Sequence, residues 1–149
     1  MAYESIILEK ENRVATITFN RPDKLNALNS QLVSDIMNAL DAVASDEDTR
    51  VLIVTGNGRG FCSGADLSGG SDFSTATLER RLRPQPLPWW GWLTLAFHNF
   101  PKPSIAAVNG LAVGGGLGIA LVCDIRIAAE SARFSAIFIQ RALVPDSGA

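Results

Sequence analysis

Two glycine-rich segments carry the residue types in this chain that are best suited to chemistry. The first is GNGRGFCSGADLSGG (Gly56–Gly70), which holds six glycines, one thiol and one carboxylate and follows an apolar run. The second is GGGLG (Gly114–Gly118), which follows another apolar run. Glycine-rich backbone that opens a helix offers N–H groups without helical partners, and such groups bind anions. If the two loops converge, they would direct two N–H donors at one oxygen, as in an oxyanion hole for an enolate or a tetrahedral adduct.

Glycine-rich loops with other functions have characteristic spacings of their own. Neither segment contains GxGxxG, which binds a dinucleotide, and neither contains the GK[ST] of a phosphate-binding loop. Glycines that only permit tight turns would leave the pattern seen here. The residues alone therefore favour the oxyanion and the turn interpretations equally.

The elements that must position these loops begin with a predicted β-hairpin. Two short runs rich in Ile, Val and Thr, Tyr3–Lys10 and Arg13–Asn20, predict antiparallel strands joined through Glu11 and Asn12.

A loop and a helix are predicted next. Proline and asparagine residues interrupt Arg21–Leu28, so this segment is expected to be irregular. Helical spacing of apolar residues then predicts a helix from Gln31 to about Ala44, capped by Asn29 or Ser30.

The remaining elements alternate between strands and helices. Uninterrupted apolar runs predict strands at Val51–Gly56, Lys102–Gly110 and Ile125–Ser131, the first of them buried on both faces. Helices are expected across Trp90–Asn99, from Gly114 onwards, and over a short stretch before Pro84. This order predicts one α/β domain with right-handed crossovers.

Composition sets limits on the class of protein. Of 149 residues, 47% are hydrophobic and 19% charged, which is typical of a globular domain. A formal charge of -2 and a pI near 5.3 give no basic excess for nucleic acid as the main partner. Two cysteines without zinc spacing indicate a reducing compartment, so a cytoplasmic location is expected. The N-terminus does not resemble a signal peptide, and glycines break the most apolar stretch, Ser104–Cys123, which we interpret as core and not as a membrane span.

Three motifs carry a resemblance to a known family. NRPDKLNALN, GNGRGFCSGADL and AAVNGLAVGGGLGIALVCDIRIA together resemble the crotonase superfamily of enoyl-CoA hydratases and isomerases, in the family's order and with similar spacing. The resemblance covers nearly the whole chain. It implies an α/β fold built as a spiral of ββα units, with residues 1–149 forming an acyl-CoA-binding core that ends inside the family's C-terminal part, without the usual C-terminal helices that build trimers.

The resemblance also implies a site. By motif match, the backbone N–H groups of Ala65 and Gly115 would hold the thioester oxygen. Residues implied to contact the acyl-CoA are Lys24, Ala27, Arg59, Ser63, Ala65, Asp66, Leu67 and Gly115. Asp66 is more often a structural anchor of the loop than a catalyst. No metal or redox cofactor is implied, because coenzyme A arrives as part of the substrate.

This chain departs from the hydratase pattern at two positions. Hydratases of the family carry two glutamates, and the matching positions here are Gly118 and Phe138. The remaining candidate base is Asp146, in LVPDSG, because dienoyl-CoA isomerases resemble this chain in placing an aspartate after that proline. A carboxylate in an apolar acyl pocket would have a raised pKa, which suits a base. Without the resemblance, a loop or helix cap would be the favoured role of Asp146.

The resulting prediction is an enoyl-CoA isomerase that moves a double bond by shuttling a proton. A hydratase and a non-catalytic acyl-CoA-binding or assembly protein are the alternatives. The acyl-CoA thioester is the expected partner, with neither nucleic acid nor membrane. Because relatives run further into helices that cover the acyl site, an exposed apolar face and a homo-oligomer are also expected, a trimer or hexamer in full-length members.

Six other side chains invite functional interpretation. His98 is the only histidine, and a structural role is favoured for it. Cys62 and Ser63 would need a nearby base to act as nucleophiles, and Cys62 is expected to pack as a small buried residue. The tryptophans, Trp89, Trp90 and Trp92, could line the acyl pocket or pack at the surface.

Overall fold

The computed structural model describes residues 3–69, 89–141 and Pro145. Its strands are β1 (Ile6–Glu11), β2 (Val14–Phe19), β3 (Val51–Gly56), β4 (Gly60–Cys62), β5 (Ser104–Val108), β6 (Leu111–Val113), β7 (Ile125–Ala128) and β8 (Arg133–Ser135). Its α-helices are α1 (Ser30–Ala44), α2 (Trp89–His98) and α3 (Gly115–Val122). Short 3-10 turns lie at Pro22–Lys24, Leu67–Gly69 and Ile137–Arg141. The helix predicted before Pro84 lies outside the described residues.

A five-stranded sheet forms the larger layer, in the order β1-β2-β3-β5-β7. The predicted hairpin of β1 and β2 is confirmed, and β2, β3, β5 and β7 pair in parallel. The hairpin turn lies at Asn12 and Arg13, whose φ angles of 51° and 68° are those of a type I′ turn. The turn is therefore one residue later than the sequence indicated.

A second, three-stranded sheet in the order β4-β6-β8 was not predicted from residue patterns. Each of its strands has three residues, which is too short for an alternating pattern to be recognised. In each of the consecutive pairs β3–β4, β5–β6 and β7–β8, the first strand belongs to the large sheet and the second to the small one. Helix α1 follows the hairpin and α3 follows β6, so the order of elements repeats as ββα.

The core lies on one face of the large sheet. In β3, Leu52 and Val54 are fully buried, whereas Val51, Ile53 and Thr55 are only half-buried. The prediction that β3 is buried on both faces is therefore wrong. Successive side chains of a strand point to opposite faces, and only one of these two faces packs into the core.

Helix α1 closes this core as predicted. Asn29 is its N-cap, and the Asn29 side chain accepts a hydrogen bond from the N–H of Leu32 at 2.9 Å. The helix packs against β1, β2 and α2, and its buried residues follow helical spacing: Leu32, Ile36, Ala39, Leu40 and Val43. The cap and the apolar stripe are both local features, which explains why the sequence predicted them.

Large apolar side chains are exposed toward the C-terminal part of the chain. Ile125 and Ile127 of β7 are 52% and 61% exposed, and Ile139 is 87% exposed. This agrees with the exposed apolar face expected from the sequence, while the oligomeric state stays a prediction. None of the helices that the structure describes has the length and apolar character needed to cross a bilayer.

Candidate active site at the ends of β4 and β6

The two glycine-rich loops leave neighbouring strands of the small sheet. Strands β4 and β6 are parallel, with Gly60 opposite Leu111 and Cys62 opposite Ala112. Because parallel neighbours end at the same edge of a sheet, the loops that follow them start side by side. The sequence placed these loops directly after β3 and β5, and the structure corrects this, because β4 and β6 intervene.

Glycine is required where the two loops touch. Gly64 has a φ of 88°, and a Cβ on it would lie 2.8 Å from the carbonyl oxygen of Val113 and 3.3 Å from the nitrogen of Gly115. A Cβ on Gly116 would lie 2.2 Å from the carbonyl oxygen of Cys62. These glycines therefore let two stretches of backbone approach more closely than any side chain would permit.

The Ala65 peptide is oriented by pairing with Leu28. The Leu28 N–H donates to the Gly64 carbonyl at 2.7 Å, and the Leu28 carbonyl accepts from the Asp66 N–H at 2.9 Å. In extended backbone, successive amides point to opposite sides, so the Ala65 N–H points away from Leu28. It donates to no acceptor among the residues that the structure describes.

The Gly115 N–H is free for a structural reason of its own. Gly115 is the first residue of α3, where N–H groups have no helical acceptor. The preceding N–H, that of Gly114, donates to the Ser135 carbonyl at 3.0 Å, whereas Gly115 N–H donates to no residue within 3–69 or 89–141. The positive end of the α3 dipole adds to its attraction for negative charge.

The predicted acyl-CoA residues fall mostly on one cluster of loops. Ser63 N–H donates to the Leu25 carbonyl at 3.0 Å, and Ser63 Oγ lies 3.4 Å from the Lys24 carbonyl. Brought together in this way are Lys24, Ala27, Ser63, Ala65, Asp66 and Gly115. Arg59 lies in the exposed turn between β3 and β4. Leu67 comes directly after Asp66 and is 50% exposed. Asp146 lies outside the described residues.

Asp66 holds the first glycine loop in shape. Its Oδ1 accepts hydrogen bonds from the hydroxyl of Ser68 at 2.6 Å and from the N–H of Ser68 at 3.0 Å. Its Oδ2 accepts from Arg21 Nη2 at 2.9 Å. The hydrogen bonds from Ser68, followed by the one from Arg21, lower the pKa of Asp66 to about 2. An ionised carboxylate engaged in this way fits the anchor role expected from the resemblance.

Two buried or partly buried asparagines tie these loops together, and the sequence did not single them out. Asn26 is fully buried, and its Nδ2 donates to the carbonyls of Gly60 at 2.8 Å and Asn57 at 3.0 Å. Asn109 Oδ1 accepts from the Gly56 N–H at 3.2 Å. The available signals were local, since Asn26 lies between Leu25 and Ala27 and Asn109 directly follows β5, but the partners of both are distant in sequence.

Within the described part of the chain, few side chains could supply further chemistry. The two positions where hydratases carry glutamate hold Gly118, within α3, and Phe138, which is buried at 8% exposure. Neither residue can act as an acid or a base. His98 is exposed in the last turn of α2. In residues 3–69 and 89–141, no group of three or more His, Cys, Asp or Glu side chains could hold a metal ion.

Cys62 is buried beside these loops, and we expect it to be unreactive. It is 0% exposed, and burial raises the pKa of its thiol to about 12, while burial raises that of Cys123 to about 11. A disulfide reagent at about pH 8 should therefore titrate neither thiol in the folded chain, and both after unfolding in guanidinium. Rapid titration of one thiol in the folded chain would contradict this packing.

Comparisons with known proteins agree with this geometry. The sequence model of the family described as "Enoyl-CoA hydratase/isomerase" matches residues 9–149. The chain is 39% identical over 143 residues to the 2,3-dehydroadipyl-CoA hydratase of Escherichia coli K12. The aligned region covers 96% of this chain and 53% of that protein. The chain is also 39% identical over 154 residues to the 1,2-epoxyphenylacetyl-CoA isomerase of the same organism, with 97% and 55% covered.

Solved structures give the same result. A crystal structure of an enoyl-CoA hydratase from Bacillus anthracis superposes with a TM-score of 0.87 at 32% identity, covering 97% of this chain and 55% of the other. The chain thus spans about half the length of the relatives that it matches. A family model that matches nearly the whole chain, relatives of both reaction types and a shared fold agree with the repeated ββα order described above. The chain belongs to the enoyl-CoA hydratase/isomerase family and has the crotonase fold.

Proposed function

We propose that this chain binds an acyl-CoA thioester and stabilises its enolate with the backbone N–H groups of Ala65 and Gly115. The observation that carries the proposal is the meeting of two loops at the ends of β4 and β6. Each loop presents one N–H that donates to no described residue. Backbone amides held in this way are aligned before the substrate arrives, so little energy is lost in reorganising them.

The chemistry of a thioester matches such a pair of donors. Removing the α-proton moves negative charge onto the thioester oxygen, where preorganised hydrogen bonds are stronger than in water. Losing one donor of this kind costs about 10²–10³ in rate. The amides need no side-chain chemistry of their own, so a separate group must move the proton.

Within the family, we propose the isomerase reaction. The positions of the two hydratase glutamates carry Gly118 and Phe138, which leaves no pair of acids to activate water. Asp146, proposed as the base from the sequence, would take the proton from one carbon and return it to another. The likeness to a 1,2-epoxyphenylacetyl-CoA isomerase supports this choice.

Hydration is the second candidate reaction. It is favoured by the equal identity to a 2,3-dehydroadipyl-CoA hydratase. Because water addition needs a positioned acid and base, this reaction would require groups other than Gly118 and Phe138. Binding of acyl-CoA without turnover is the non-catalytic alternative.

One assay separates these outcomes. The 149-residue chain is incubated with a 2-enoyl-CoA, a 3-enoyl-CoA and a dienoyl-CoA, and the absorbance of the conjugated thioester is followed beside CoA-ester affinity. Isomerisation should raise that absorbance from the 3-enoyl ester without forming a hydroxyacyl product. Loss of absorbance from the 2-enoyl ester with formation of a hydroxyacyl product would establish hydration, and binding alone would establish the non-catalytic alternative. Failure to bind any of the esters would overturn the proposal.

A further inference from the structure

Arg21 joins the two stretches of backbone that pair at Leu28 and Ala65. Its Nη1 donates to the carbonyl of Ala27, the residue before Leu28. Its Nη2 donates to Asp66 Oδ2 at 2.9 Å, on the residue after Ala65. One guanidinium therefore bridges both sides of the Leu28–Ala65 pairing, and it reaches a carboxylate 45 positions further along the chain than Arg21 itself.

The bridge is sheltered from solvent. The side chains of Arg21 and Asp66 are 18% and 13% exposed, whereas those of the ion pair between Lys10 and Asp46 are 40% and 24% exposed. Hydrogen bonds between a guanidinium and a carboxylate are short and directional, and partial burial reduces their screening by water. The planar arrangement of Arg donors can reach two acceptors at once, which a lysine ammonium on its flexible stem does less well.

The backbone of Arg21 is held as firmly as its side chain. The Arg21 N–H donates to Asn26 Oδ1 at 2.8 Å, and Asn26 in turn donates to the Gly60 carbonyl on β4. Leu25 and Asn26 have φ angles of 50° and 55°, which is uncommon for residues other than glycine. Strained backbone of this kind persists where surrounding contacts enforce it, and it is concentrated at functional sites.

The pairing that Arg21 bridges determines the direction of a backbone donor. Leu28 holds the Gly64 carbonyl and the Asp66 N–H on either side of Ala65, so its position sets where the Ala65 N–H points. The Leu28 side chain also lies beside the residue of the second donor, because a Cβ added to Gly115 would be 3.1 Å from Leu28 Cδ1. A shift of Leu28 would therefore disturb both amides.

We propose that Arg21 is a positioning residue of the oxyanion hole, which holds the Ala65 N–H in its catalytic direction through Ala27 and Asp66. This inference rests on the proposed function, and it adds a residue that contacts neither the reacting atoms nor the thioester oxygen. It concerns the geometry of the donor, so substrate binding at other contacts should be little affected.

The test compares Arg21→Lys and Arg21→Ala with a matched control, Lys10→Ala, which removes the more exposed ion pair. The first readout is amide hydrogen exchange of the folded, ligand-free chain. Exchange of the Leu28 and Asp66 N–H groups should be about tenfold faster in Arg21→Lys and faster still in Arg21→Ala. Amides that pair β2 with β3 should be unchanged, as should every amide of this loop in Lys10→Ala.

The second readout is the absorbance of a bound ring-conjugated acyl-CoA, because hydrogen bonds to its carbonyl shift the band to longer wavelength. The unmodified chain and Lys10→Ala should show the full shift, and the Arg21 variants should bind the ester with a reduced shift. With the isomerisation substrate, kcat should fall about tenfold in Arg21→Lys and about 10²-fold in Arg21→Ala, with little change in KM.

The two readouts separate failure of the inference from failure of the proposed function. An unmodified chain that binds the ester without any shift would overturn the oxyanion hole itself, and the inference with it. A full shift in the unmodified chain and an equal shift in Arg21→Ala would overturn the positioning role alone. Unchanged exchange at Leu28 and Asp66 would also overturn it, whatever the activity.

Discussion

Replacing Gly64 with alanine should lower kcat for isomerisation by a factor of about 10²–10³, the loss expected when one oxyanion donor is misplaced. Alanine rarely adopts the φ of 88° found here, and its Cβ would approach the Val113 carbonyl to 2.8 Å and the Gly115 nitrogen to 3.3 Å. Either the loops separate or the backbone at Gly64 rotates. Both responses redirect the neighbouring Ala65 N–H, and the strain should cost roughly 1–3 kcal/mol of folding stability. Steady-state kinetics and denaturant unfolding measure the two effects.

Gly60→Ala is the matched control, because it adds the same methyl group in the same segment of the chain. The nearest atoms to a Cβ on Gly60 would belong to Leu25, at 3.5 Å or more, which is ordinary contact. Activity and stability of Gly60→Ala should therefore stay close to those of the unmodified chain. A folded Gly64→Ala chain with normal kcat would show that close approach of the two loops is not needed for turnover.

Replacing Asp146 with asparagine should lower kcat by a factor of about 10²–10⁴, the usual contribution of a general base. The substitution keeps the size of the side chain and removes its ability to accept a proton. Affinity for a non-reacting acyl-CoA should be retained, since the proposed contacts with the thioester come from Ala65 and Gly115. Turnover is followed by absorbance of the conjugated thioester, and affinity by titration.

Asp41→Asn, on the exposed surface of α1, makes the same chemical change away from the two glycine loops. It should leave both turnover and affinity unchanged. If Asp146→Asn also turns over normally, the isomerase proposal loses its base, and the hydratase alternative must then name another group. If Asp146→Asn loses affinity together with turnover, Asp146 has a role in binding that the proposal does not include.

The predictions for Gly64 and Arg21 share one physical origin, because the proposed donors of the site are backbone groups. The side chain of Ala65 takes no part, and Gly115 has none. Substitutions that affect these donors should therefore act by moving backbone, either directly, as at Gly64, or through hydrogen-bond partners, as at Arg21. Exposed residues that touch neither glycine loop should tolerate change, as most surface positions do.

Local patterns were sufficient to predict the long elements. The hairpin, α1, β3, β5 and the start of α3 are each specified by residues that are neighbours in sequence, such as Asn29 with Leu32 or the alternating residues of β2. The three motifs were sufficient to identify the family, which the comparisons confirm. The predicted site residues themselves await the experiments above.

What only the tertiary structure decided is how the site is assembled. Strands of three residues carry almost no periodic signal. Each of β4, β6 and β8 follows a strand of the large sheet, and the pairing of those longer strands places the short ones side by side. The partners of Arg21, Asn26 and Asn109 lie on loops distant in sequence, and no local preference encodes such pairings. The sequence determined that glycine loops would follow strands in an acyl-CoA enzyme family. The packing of the small sheet decided that those loops touch, because parallel strands side by side must end at the same edge.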